Sequence, residues 1–183
     1  MFARAQRGES VATIHRADGV VVELPSYSRK HRIPHDLAHA VAERELGLAG
    51  GVFGSIAAGA LFENMRVISG RTRHDAAARS RRILAANRRT LTLAEVMAGA
   101  LHHLVEHPDG RTGAVSTLER AWGSVNENPF PYPPQQVIAV VGVLRDHASR
   151  WTALADGELL EFRWPDALTA PVPPARTGRG RRS

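Results

Sequence analysis

The sequence has no cysteine, few aromatic residues and no long apolar run. Without thiols, the protein has no disulfide scaffold, thiolate zinc finger, iron–sulfur site or cysteine nucleophile. No apolar stretch reaches the roughly 18 residues that a membrane-spanning helix needs. Residues 1–10 also lack the apolar region of a secretory signal. We therefore expect a cytoplasmic globular protein with no membrane partner.

Lysine is almost absent, and this changes how the positive charge is interpreted. Lysine and arginine together number 24, but Lys30 is the single lysine. Abundant arginine beside abundant alanine, glycine and proline is typical of a GC-rich genome. A pI near 11 is therefore partly codon usage and does not by itself indicate nucleic-acid binding.

The last part of the chain differs in composition from the rest. Residues 167–183 are rich in proline and glycine and carry four closely spaced arginines: Arg176, Arg179, Arg181 and Arg182. Such a segment buries too little apolar surface to offset the entropy of ordering it. The sequence predicts a single globular domain over residues 1–166 and a disordered basic tail over residues 167–183.

The first half of the chain predicts a hairpin followed by helices. Alternating apolar and polar residues from Ser10 to Leu24 surround an Asp18-Gly19 turn, which indicates two antiparallel strands. Pro34 suits the first position of a helix that runs to about Leu46 and ends at Gly47. A tightly packed central helix is expected over 52–65.

The second half predicts more helices and a second hairpin. Helices are expected over 75–87, from a capping box at Thr92 and Glu95 to Pro108, from about Ser116, and over 135–149. Strands over 151–155 and 158–164 flank a second Asp-Gly turn. The predicted fold is α+β, with five to six helices and a small antiparallel sheet formed by the N- and C-terminal hairpins.

The strongest chemical pattern is the segment His35-Asp36-Leu37-Ala38-His39. Residues four apart lie on one face of a helix, so both imidazoles can reach one metal ion. The segment resembles the motif of the zincin metallopeptidases, in which an acidic residue follows the first histidine. The resemblance implies metal ligation by His35 and His39, with Asp36 as the general base that activates a metal-bound water.

The third ligand has three candidates. In the gluzincin branch of the zincins a glutamate on a following helix completes the site, and Glu63 lies 24 positions after His39. Glu45 occupies the place of the third ligand in the metzincin spacing. Glu43 shares the helix face of the two histidines, although ligands from a single helix close a site poorly. Glu63 is the first choice, and zinc is preferred over nickel, iron or manganese.

An arginine-rich segment gives a different functional hypothesis. Eight arginines and a single acid, Asp75, lie between Arg66 and Arg89. Arg79 and Arg82 are three positions apart on the helix expected over 75–87, where they form a candidate anion-binding face. No aromatic residues interleave with these arginines, as a single-strand binding surface would require.

Two functions follow as hypotheses. The first is a metal-dependent hydrolase of zincin type, with a peptide as one possible substrate and Zn²⁺ or another divalent transition metal as cofactor. The alternative is a non-catalytic interaction protein that binds nucleic acid or an acidic partner through the arginine-rich helix. Only the hydrolase requires a bound metal ion.

Overall fold

The computed structural model describes residues 1–4, 9–26, 33–107, 113–155 and 157–175. Within these ranges the strands are β1 (Phe2–Arg4), β2 (Ser10–His15), β3 (Val21–Ser26), β4 (Arg66–Ser69) and β5 (Leu159–Leu160). The helices are α1 (His35–Glu45), α2 (Val52–Ala57), α3 (Ala76–Ala86), α4 (Arg88–Glu106), α5 (Ala114–Gly123) and α6 (Pro134–Ala153). None of them is long and apolar enough to cross a membrane.

The strands form one antiparallel sheet in the order β4-β3-β2-β1-β5. The hairpin predicted at Asp18-Gly19 is confirmed, because β2 pairs with β3 around this turn. Gly19 has a φ of 79°, which favours glycine, and Asp18 Oδ1 accepts the Val20 N–H at 3.2 Å. With its helices and this sheet, the fold is α+β as predicted.

The C-terminal hairpin was predicted wrongly, although its second segment joins the sheet. Residues 151–153 form the last turn of α6, and β5 pairs with β1 through Phe2 and Leu160. Leu144, His147 and Trp151 are buried at helical spacing on α6, so the apolar face of the helix extends into the expected strand. Asp156 of the predicted turn lies outside the described residues.

The helix predicted over 52–65 is also wrong, because α2 ends at Ala57. Gly59 takes a φ of +108°, which ends the helix, and the chain continues into β4. The central helix is instead α1, which packs against α2, α4 and α6. Its interior positions are completely buried: Leu37, Ala38, Ala40, Val41 and Ala42.

The start of α4 differs from the capping box that the sequence predicts at Thr92. The helix begins at Arg88, and the Thr92 hydroxyl donates to the Arg88 carbonyl inside it. The buried Asn87 separates α3 from α4, since its side-chain amide donates to the Ile83 carbonyl at 2.9 Å. Glu95 therefore lies in the second turn of α4, away from the helix start.

The chain after residue 166 contacts the helices. A short 3₁₀ turn covers Asp166–Leu168, and the Ala170 N–H then donates to the Gly54 carbonyl at 3.0 Å. Ala170 is buried beside Ile83 of α3. The predicted domain boundary at residue 166 stays a prediction, and the four tail arginines lie outside the described residues.

A buried carboxylate joins α1 to the start of α2. Glu43 is fully buried, and its two oxygens accept the backbone N–H groups of Val52 and Phe53 at 2.8 and 2.9 Å. These N–H groups begin α2 and have no partner within the helix. Gly51 makes room for the carboxylate, because a Cβ at this position would lie 2.3 Å from Glu43 Cδ.

We expect Gly51→Ala to lower the free energy of unfolding by about 1–3 kcal/mol, because the new methyl group must displace the buried Glu43 side chain. The matched control is Gly142→Ala in α6, where a Cβ meets no atom within 4 Å. This substitution should raise stability by about 0.5–1 kcal/mol, since alanine loses less backbone entropy in a helix. Urea denaturation of both variants measures the two changes; equal stabilities would contradict the packing described here.

Candidate metal centre

The candidate site lies where α1 and α4 pack against each other in antiparallel directions. Ile33, just before α1, is held by two residues near the end of α4. Its N–H donates to Glu106 Oε1 at 2.9 Å, and its carbonyl accepts from His102 Nε2 at 3.1 Å. One helical turn later in α1, His39 contacts Glu95, which lies nearer the start of α4. The start of α1 is therefore fixed by backbone hydrogen bonds to side chains of α4.

Three side chains on these helices form a cluster: His35, His39 and Glu95. His39 Nε2 lies 3.2 Å from Glu95 Oε2, and His35 Nε2 lies 3.9 Å from Glu95 Oε1. One ligand atom from each residue lies within 4.8 Å of the other two. Each carboxylate oxygen of Glu95 thus faces one imidazole. The structure brings the two histidines together as their spacing predicts.

One side of the cluster faces the protein interior, and the other side faces solvent. The His39 side chain is 4% exposed, whereas those of His35 and Glu95 are 36% and 62% exposed. His39 is thus the inner member of the cluster, while the side chains of His35 and Glu95 reach solvent.

Glu43 orients the inner histidine. Its Oε1 lies 3.4 Å from His39 Nδ1, while both of its oxygens also accept backbone N–H groups of α2. A carboxylate at Nδ1 fixes the ring and directs Nε2 toward the cluster. Metal-binding histidines usually have such a partner at the second ring nitrogen.

The electrostatics of the cluster favour a positive charge at its centre. Burial lowers the pKa of His39, but hydrogen bonds to Glu43 and Glu95 outweigh burial and raise that pKa to about 9. The hydrogen bond to His39 in turn lowers the pKa of Glu95. In the absence of a metal ion, a proton on His39 therefore neutralises part of the carboxylate charge.

Asp36 lies in the first turn of α1, next to this cluster. Burial raises the pKa of its carboxyl group, although the nearby His39 and a hydrogen bond with Ser26 of β3 act in the opposite direction. Asp36 also interacts electrostatically with Glu95. The predicted general base is thus close enough to His39 and Glu95 to interact electrostatically with both side chains.

The proposed third ligands lie in different surroundings. Glu63 is exposed in the turn that follows α2 and is not part of the cluster. Glu45 is half-buried and accepts a hydrogen bond from Arg44 Nε at 2.6 Å. Glu43 contacts His39 at Nδ1, whereas the other ring nitrogen, Nε2, faces Glu95. The carboxylate that the structure places beside both imidazoles is Glu95.

The sequence reasoning missed Glu95 because it assigned this residue to a capping box. The spacing of Glu95, His102 and Glu106 contained a usable signal. Intervals of seven and four residues place all three on one face of a helix, and α4 turns this face toward α1. A face that combines carboxylates with a histidine is unusual for a helix that packs in a core.

The arginines of the alternative hypothesis make contacts within the fold. Arg79 donates from Nε and Nη2 to the Ala58 carbonyl at 3.1 and 3.0 Å. Arg82 Nη2 lies 3.6 Å from Asp75 Oδ2. Other arginines of the segment are exposed: Arg66, Arg71, Arg73, Arg81, Arg88 and Arg89. Binding of nucleic acid or of an acidic partner stays a prediction.

Comparisons with protein-family models, with curated proteins and with solved structures find no match for this chain. The interpretation of the cluster therefore depends on its own chemistry. That chemistry consists of two imidazoles and one carboxylate at ligand distance, with a second carboxylate behind the inner imidazole.

We expect His39 to titrate near pH 9 in chelator-treated protein. Its pKa in the folded state is higher than in the unfolded chain, where it is about 6.5. The stabilisation by protonated His39 is therefore complete below about pH 6.5 and is lost as the pH rises through about 9. NMR of the imidazole resonances and urea unfolding at several pH values measure the two effects.

Two variants provide the comparison for this titration. Glu95→Gln removes a hydrogen-bonded carboxylate and should lower the pKa of His39, whereas Glu63→Gln should leave it unchanged. An identical His39 titration in both variants would contradict the pairing of His39 with Glu95.

Proposed function

We propose that the protein is a metal-dependent hydrolase whose metal ion is bound by His35, His39 and Glu95. One observation supports this proposal above the others: three ligand atoms from two different helices lie within 4.8 Å of one another. The two histidines come from one helix and the glutamate from its antiparallel neighbour. This arrangement avoids the difficulty of closing a site with ligands from a single helix.

Zinc fits this set of ligands. Imidazole nitrogen and carboxylate oxygen bind Zn²⁺ at about 2.0–2.2 Å, so tetrahedral geometry separates ligand atoms by roughly 3.3 Å. The distances are 3.2 Å from Glu95 Oε2 to His39 Nε2 and 3.9 Å from Glu95 Oε1 to His35 Nε2, so each carboxylate oxygen lies near one imidazole. Nickel, iron and manganese accept the same donors, so the identity of the metal is decided by experiment.

If His35, His39 and Glu95 hold a zinc ion, a water molecule would complete its coordination from the solvent side. A zinc ion held by these residues would lower the pKa of bound water toward neutrality and polarise a carbonyl group of the substrate. The exposed edge of the cluster is the side from which a substrate would approach. The zincin-like segment from His35 to His39 makes peptides the first class of substrate to test.

Asp36 is the proposed general base. The charges of His39 and Glu95 both act on its carboxyl group, and burial raises the pKa of that group. A raised pKa makes a carboxylate a better proton acceptor near neutral pH. Ser26 holds the side chain by a hydrogen bond and so limits its rotation.

The ligand set is tested by two glutamate variants. Glu95→Ala should weaken zinc binding by about 10-fold or more, because it removes one of three ligands, whereas Glu63→Ala should bind zinc as the wild type does. Competition with a fluorescent chelator, using protein purified without a histidine tag, measures the affinities. Wild-type protein should bind about one zinc ion per chain.

A second pair of variants, His39→Ala and His103→Ala, tests the histidine ligands of the proposed site. His103 is exposed on α4, outside the cluster, so only the first variant should lose zinc. Full zinc occupancy in His39→Ala, or an equal loss in the Glu63 and Glu95 variants, would disprove this site.

The role of Asp36 is tested by Asp36→Asn. We expect this variant to retain zinc and to lose hydrolysis by about 10²-fold or more, because the amide cannot accept a proton. Asp146→Asn, on the exposed surface of α6, is the matched control. Turnover of a fluorogenic peptide library, zinc content and melting temperature are measured together. A variant that stays active with a much lower melting temperature would assign Asp36 to helix stability instead.

A further inference from the structure

Two arginine side chains meet where α2 ends. Arg16 comes from the turn between β2 and β3, and Arg79 comes from α3. A Cβ on Gly59 would lie 3.1 Å from Arg79 Nε and 3.2 Å from Arg16 Nη2. Both guanidinium groups therefore approach the same point beside the backbone of Gly59, which is itself buried.

The charge of Arg79 is not neutralised by a carboxylate in the described part of the chain. Its hydrogen bonds go to the Ala58 carbonyl, which accepts from Nε and Nη2. This carbonyl lies at the end of α2, so the contact satisfies a backbone acceptor. It leaves the positive charge and the remaining N–H donors of the guanidinium group available.

Arg16 is the more deeply buried member of the pair. Its side chain is 8% exposed and pairs through Nη2 with Asp18, whose side chain is 40% exposed. Arg16 Nε is buried and has no hydrogen-bond partner among the described residues. A buried polar atom without a partner is costly, and this atom belongs to a charged group.

Arg16 and Arg79 together carry two positive charges but are paired, within the described ranges, with the negative charge of one carboxylate. Of the two neighbouring guanidinium groups, only that of Arg16 is paired with a carboxylate of the described residues, and this carboxylate, Asp18, is partly exposed. Like charges in a poorly hydrated environment repel each other, and a bound anion relieves this repulsion. Guanidinium groups present several N–H donors in one plane, a geometry that matches the oxygens of phosphate.

We propose that Arg16 and Arg79 form a binding site for one small oxyanion of the phosphate type, separate from the metal cluster. Glycine at position 59 serves the site in two ways. Its φ of +108° ends α2, and its missing side chain leaves room for both guanidinium groups. A small phosphate fits better than a nucleic-acid strand, because a strand needs a row of exposed cations and Arg16 is mostly buried.

The proposal is tested by titrating metal-free protein with inorganic phosphate at constant ionic strength. The ¹⁵N resonance of Gly59 reports on the site, and chelator treatment prevents phosphate from binding to a metal ion. We expect a saturable shift of this resonance with wild-type protein. Arg79→Gln should weaken phosphate binding by about tenfold or more, because it removes a charged donor.

The matched control is Arg81→Gln, on an exposed position of the same helix, which should bind phosphate as the wild type does. If Arg79→Gln fails to fold, the titration of the wild-type protein still decides the question. The absence of a saturable shift at Gly59 would overturn the proposal. Tighter binding of a single-stranded oligonucleotide that Arg81→Gln weakens would also overturn it, in favour of the exposed arginines.

Discussion

The buried carboxylate of Glu43 is the interaction on which the site and its surroundings depend. It accepts two backbone N–H groups at the start of α2 and contacts His39 Nδ1 with the same side chain. Isolated carboxylates are costly to bury, so this one must remain paired. The position of α2 and the orientation of the inner imidazole are therefore set together, and a change in one affects the other.

The short helix α2 shows how the two proposed sites are connected. A six-residue helix is too short to be stable alone, and charges from other elements hold both of its ends. Glu43 binds the first N–H groups, and Arg79 binds the Ala58 carbonyl at the other end. Negative charge at the start and positive charge at the end complement the helix dipole. Glu43, which orients the proposed ligand His39, and Arg79, which is proposed to bind an anion, thus also stabilise one piece of secondary structure.

Local patterns in the sequence predicted the parts of the fold that local interactions determine. The Asp18-Gly19 hairpin and the helix with both histidines on one face follow from turn chemistry and periodicity. The end of α2 at Gly59 and the last turn of α6 depend on tertiary packing, which overrides propensity over such short stretches. Glu95 was missed for a related reason: its partners, His35 and His39, are distant in the sequence, and only the docking of α4 on α1 brings them together.

The separation of the ligands along the chain also has a kinetic consequence. Glu95 lies 56 positions after His39, and closing a loop of this length carries an entropic cost. In an unfolded chain the two histidines are available to an ion, but Glu95 is not held beside them. We expect this contact to form late in folding and to break early in unfolding, so an ion bound at the proposed site should slow unfolding and leave the rate of folding almost unchanged.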